Sequence, residues 1–78
     1  MGKYKYRVYL YQLYREIDSR YRTKPLLVAN FKTKEAAFKA AQDLYNSYIN
    51  NALDYDISVG QYKEGAPVTE IKVYQTYR

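Results

Sequence analysis

One stretch of this chain, KEAAFKAAQDLYNSYI at 34–49, carries helical spacing, and the segments around it alternate with a period of two. Ala37, Ala41, Leu44 and Tyr48 fall on one helical stripe, with Phe38, Tyr45 and Ile49 beside it. Thr33 supplies an N-cap, and Glu35 puts a negative charge where the helix dipole favours it. Asn50-Asn51 reads as a left-handed stop. One helix covers one face of a sheet, so whatever sheet the rest builds must leave its second face open.

Residues 3–17 alternate and are rich in Tyr, Val and Leu, as a half-buried strand requires. Asp18-Ser19 offers turn chemistry, and Arg20 to Phe31 can return as a second strand. Pro25 lacks a ladder donor and places that return on a sheet edge. With Asp18 and Ser19 central in the turn, Leu10 meets Leu27, Val8 meets Ala29 and Tyr6 meets Phe31, all apolar. A slip of one residue would set Val8 against Asn30 and Tyr6 against Lys32, so the first register is expected. A second hairpin, Leu53–Tyr62 and Val68–Tyr77, flanks the turn KEGAP at 63–67. Its expected pairs are Val59 with Ile71, Ile57 with Val73 and Leu53 with Tyr77. Its other face reads Asp56, Ser58, Gly60, Glu70 and Lys72.

The predicted fold is therefore α+β: ββαββ, a four-stranded antiparallel sheet of order 2-1-3-4 with one helix packed on one face. A right-handed crossover through the helix brings the third strand beside the first. Seventy-eight residues make a single domain, 1–78, with no room for a second core. Cysteine and histidine are both missing from the sequence, so the twelve tyrosines and other packed side chains must supply the stability. A chain without cysteine suits a reducing compartment, and no apolar run nears the ~20 residues that span a bilayer. The expected location is the cytoplasm, with no membrane contact.

The same register that buries Tyr6, Val8 and Leu10 turns Lys3, Lys5, Arg7, Tyr9, Tyr11, Leu13 and Arg15 to the open face. Leu26 and Val28 join them from strand two, and Tyr62 and Tyr74 from the second hairpin. The net charge of +5 is concentrated here: through Lys24 there are seven cations, including Arg20 and Arg22, against Glu16 and Asp18, while beyond Lys24 six cations balance six acids. Together with Lys72, these residues form an expected binding face of rings rimmed by Lys and Arg. An exposed apolar patch of this kind marks a contact site, and Tyr and Arg are enriched at binding hot spots.

Nucleic acid, DNA or RNA, is the leading expected partner: the cations would neutralise phosphates and the rings would stack unpaired bases, at about 1–3 kcal/mol per base. The competing expectation is a phage or mobile-element type of protein that inhibits or adapts a host nucleic-acid-processing complex, a CRISPR effector for example, through the same face. A homodimer through the open face is a third use of it. The segment NFKTKEAAFKAAQDL resembles the strand-to-helix joint of many small domains, among them the arm-type DNA-binding domains of phage integrases, although two further strands follow the helix here.

Catalysis is not expected. Without His or Cys the commonest bases, nucleophiles and soft metal ligands are absent. Asp54 and Asp56 share a strand face but lack a Gly-centred loop and further oxygen ligands, and read as a solvated acidic strand start. Ser47 and Ser58 have no neighbouring base, and Gly60 and Gly65 belong to no phosphate-cradling motif. No cofactor and no metal are expected.

Overall fold

The computed structural model describes residues 4–17 and 19–77. Six elements follow in order: β1 (Tyr6–Glu16), β2 (Ser19–Arg22), β3 (Leu27–Phe31), α1 (Lys34–Tyr48), β4 (Tyr55–Gln61) and β5 (Thr69–Gln75). The architecture is α+β, with one helix on an antiparallel sheet. β1 is central, β2 and β3 pair in succession along one of its edges, β4 takes the other edge, and β5 lies outside β4.

The expected second strand is thus two strands. Its register against β1 holds where apolar residues specify it: Tyr6↔Phe31, Val8↔Ala29 and Leu10↔Leu27. Nearer the turn the pairing is Glu16↔Ser19 and Leu13↔Arg22, so Ser19, expected at the centre of the turn, already belongs to the ladder. Asp18 itself lies outside the described residues. Between the two ladders, residues 11 and 12 of β1 face 23–26 of the returning chain. Pro25 sits in that excess, where a residue with no N–H costs the ladder nothing. Ile17 takes a left-handed φ of 52° to close the turn.

Thr33 caps α1 as expected, its Oγ1 accepting the Ala36 N–H at 3.2 Å. The helix stops differently from the expectation. No left-handed Asn follows it; Asn51 turns back through its N–H to the Tyr48 carbonyl, and its Oδ1 accepts the Leu53 N–H. Ala37 and Ala41 are fully buried, and their small side chains let the helix approach the sheet closely. Beneath them lie Val8, Leu10, Ile57 and Val59, each burial contributing about 1.5–3 kcal/mol. Rings close the margins: Tyr48 meets Tyr55 at 4.6 Å, and Tyr45 meets Tyr74 at 6.1 Å.

The second hairpin departs from its expected register. Ile57 pairs with Tyr74, Ser58 with Val73 and Val59 with Lys72, and an irregularity between Val59 and Gly60 then moves the ladder to Gly60↔Glu70. Ile71 is taken up there and packs against the core. A one-residue offset exchanges the faces of a strand, so Tyr74 belongs to the helix side and Val73 to the open side, the reverse of the expectation. Leu53, expected to pair with Tyr77, precedes β4 and is exposed.

Candidate binding face

The face of the sheet opposite α1 begins with the odd positions of β1. Tyr9 and Tyr11 stack at 5.9 Å with their planes 24° apart, and both are half-buried on the helix-free side. Leu13 shares this face but is only 7% exposed, because it lies between Arg22 of β2 and the Asp54 backbone that receives its N–H. It therefore acts as packing under the face instead of as part of an exposed patch.

Over this floor the arginines expected to meet an anionic partner meet the chain's own carboxylates. Arg22 Nε donates to Asp56 Oδ2 at 3.0 Å, and its Nη1 donates to Glu70 Oε2 at 3.0 Å. Its guanidinium lies 4.7 Å over the Tyr11 ring. Arg20 Nε and Arg15 Nη2 both reach Asp54 Oδ2, at 2.9 and 3.1 Å, and Arg20 also covers the Tyr77 ring. The Tyr77 hydroxyl donates to Asp56 Oδ1 at 2.8 Å, and Ser58 donates to Glu70. Asp54 and Asp56 are accordingly not a solvated strand start: the Asp56 side chain is 8% exposed and held by a guanidinium and a phenol.

The titration of these groups follows from their partners. Hydrogen bonds from Arg20, then Arg15, hold the Asp54 carboxyl below its usual value. Burial would raise Glu70, but the hydrogen bonds from Ser58 and Arg22 overcome it and leave its pKa lowered. Burial likewise works against the charge on Arg22, and its bonds to Glu70 and Asp56 more than restore it. Tyr77 is pushed up to about 12 by burial and by its bond to the Asp56 carboxylate. Burial also raises the Tyr11 phenol.

Setting aside these three arginines and three carboxylates leaves ten cations and five acids, so the whole +5 lies elsewhere. Part of it gathers at the opposite end of β1. There a cleft of about 740 Å³ is lined by Tyr4, Lys5, Arg7, Asn30, Gln61, Tyr62, Lys63 and Glu64. Arg7 Nε donates to Asn30 Oδ1 at 3.0 Å, and its guanidinium stacks 4.5 Å from the Tyr62 ring centre. The Tyr9 hydroxyl raises the Arg7 pKa further, securing its charge. Among the described residues, no carboxylate pairs with Lys5, Arg7 or Lys63. Tyr4 and Tyr62 keep large exposed areas beside them.

The expected site residues thus divide into groups. Lys5, Arg7 and Tyr62 line the cleft; Tyr9, Tyr11 and Leu13 form the floor; Arg15, Arg20 and Arg22 form the ion-pair network. Lys24, Leu26 and Val28 are exposed along the β3 edge. Lys72 and Tyr74 do not belong to the face: Tyr74 packs against Tyr45 beneath the helix, and Lys72 covers the Tyr74 ring. Lys3 lies outside the described residues. Sequence reasoning had set Asp56, Ser58 and Glu70 on the same face as the arginines without pairing the two sets. Tyr4, Asn30, Gln61, Lys63 and Glu64, which complete the cleft, are not among the expected site residues.

Among the described residues, no group of three or more acidic side chains is placed to hold a metal, and no helix is long and apolar enough to cross a membrane. No protein-family model, curated protein or solved structure matches the chain.

Proposed function

We propose that the protein is a non-enzymatic module that binds nucleic acid at the Tyr4–Arg7 end of its open face, with a preference for single strands. The carrying observation is that, among the described residues, Lys5, Arg7 and Lys63 have no carboxylate partners and adjoin the exposed Tyr4 and Tyr62 rings, whereas Arg15, Arg20 and Arg22 are neutralised within the chain. Cations of this kind attract phosphates and release their counterions. The rings present π-faces to unpaired bases, which stack without regard to sequence. Asn30 and Gln61 add amides at the cleft wall, enough for a weak base preference. The reading places the protein in the cytoplasm, to which a chain without cysteine is suited.

Titration of a short fluorescent oligothymidylate at several salt concentrations tests this. Three phosphate contacts predict that log affinity falls with log salt at a slope of about −2. Arg7→Ala should lower affinity about tenfold, while Arg15→Ala leaves it unchanged. Binding that ignores salt, or no binding in dilute buffer, rejects the proposal.

A further inference from the structure

The sheet has two edges, and they are protected unequally. β5 carries Glu70 and Lys72 within the strand, and β2 carries Arg20 and Arg22. Such charges discourage pairing with a foreign strand. β3 reads LVANF, with no charge in the strand, and among the described residues it pairs with β1 alone. Alternate backbone N–H and C=O groups of an edge strand point away from its partner, towards solvent. Three consecutive apolar side chains stand there in the open: Leu26 at 59%, Leu27 at 43% and Val28 at 48% exposure. They alternate between faces, Leu27 opposite Leu10 of the core side and Val28 opposite Tyr9 of the open side.

This uncharged run is bracketed by cations. Lys24 precedes it and Lys32 follows it, both exposed, and no carboxylate pairs with either among the described residues. The bracket selects against a second copy of the chain. An antiparallel pair of β3 strands centred on Val28 sets Lys24 of each copy against Lys32 of the other, and like charges directly opposite are destabilising. The complement is a strand with apolar residues at successive positions and acidic residues at both ends.

We propose that the β3 edge accepts an extended segment of another protein, apolar in its middle and flanked by Asp or Glu, as an added antiparallel strand. Main-chain hydrogen bonds to β3 provide the affinity, and Lys24 and Lys32 fix the register and select the flanks. The added strand covers Leu26 and Val28 on one face and Leu27 on the other. The surface is distinct from the ion-pair network and does not depend on nucleic acid binding at the cleft.

Calorimetric titration with two synthetic peptides tests the proposal. Both share a Val-Thr-Val-Ile-Thr centre; one is flanked by Glu at each end and the other by Lys. The acidic peptide should bind, and the basic one should bind at least about tenfold more weakly, the ratio produced when exposed ion pairs give way to like-charge contacts. The double variant Lys24→Glu, Lys32→Glu should reverse the preference, and the acidic peptide should slow amide exchange along 26–31 in the wild type. Failure of both peptides to bind, equal binding of the two, or exchange protection confined to β5 overturns the proposal. So does a wild-type dimer in sedimentation that Val28→Lys disperses, since the occupant is then a second copy.

Discussion

Replacing Arg22 by Met removes one guanidinium while keeping a stem of similar length over Tyr11. Two bonds are lost. The one to Asp56 leaves a carboxylate that is 8% exposed with the Tyr77 hydroxyl as its remaining side-chain partner. A hydrogen bond to a charged group at such a site contributes about 1.5–3 kcal/mol. Glu70 is 42% exposed, and its bond to Arg22 contributes about 0–1 kcal/mol. Loss of the stacking on Tyr11 adds about 0.5 kcal/mol. The expected destabilisation is therefore ~2–4 kcal/mol, against a total stability of about 4–12 kcal/mol for a chain of this size. Thermal unfolding followed by circular dichroism should show Tm lower by roughly 10–25 °C. Arg15→Met is the control. Arg15 is 65% exposed and shares Asp54 with Arg20, so its loss should cost less than about 0.5 kcal/mol. Equal small effects for the two variants would refute the reasoning, because Arg22 would then be an ordinary solvated cation available to a partner.

Acid and alkali should each weaken the network. The folded pKa values of Asp54 and Glu70 lie below their ordinary 3.8 and 4.5, so the stability they contribute is complete above about pH 5 and is lost as pH falls through the lowered values. Tyr77 is raised from 10 to about 12, so its contribution is complete below pH 10 and is lost as pH climbs towards 12; Tyr77→Phe should flatten that alkaline limb of a denaturation series. Ile17→Asn should stabilise the fold by about 1 kcal/mol, since a β-branched residue at φ 52° is strained and, at 95% exposure, buries almost nothing; an unchanged or lower urea midpoint would contradict this. Gly60→Ala should cost about 1–2 kcal/mol, because its Cβ would lie 2.5 Å from Val68 Cγ1 and Val68 must move; a variant as stable as wild type would show the site to be looser than described.

What the sequence disclosed and what it withheld have separate physical causes. The Thr33 cap, the Ala37–Ala41 stripe and the Leu10↔Leu27 register follow from local chemistry and from apolar residues having to face one another, and they were legible. The division of the returning strand at Pro25 was only half legible, as an edge signal, because two extra residues disturb neither apolar face enough to mark the pattern. The shift at Val59/Gly60 was invisible, since Ile71, Val73 and Tyr74 all satisfy a core-facing position, and the offset misassigned Tyr74. Charge was the largest misjudgement. Counting cations along the first hairpin ignored that strand order sets β2 and β4 on either side of β1, bringing Arg20 and Arg22 within reach of Asp54 and Asp56. Three of the six acids beyond Lys24, namely Asp54, Asp56 and Glu70, were the partners of the hairpin arginines.

The claim on which the account turns is that anionic ligands meet the Tyr4–Arg7 end of the sheet and not the arginine-rich hairpin. Amide chemical shifts recorded during titration with a short oligothymidylate address it residue by residue. The expected shifts are at 4–7, Asn30 and 61–63, with 15–22 undisturbed. Shifts centred on Arg15, Arg20 and Arg22 would mean that a phosphate chain displaces Asp54, Asp56 and Glu70 from their arginines, and the account would fail.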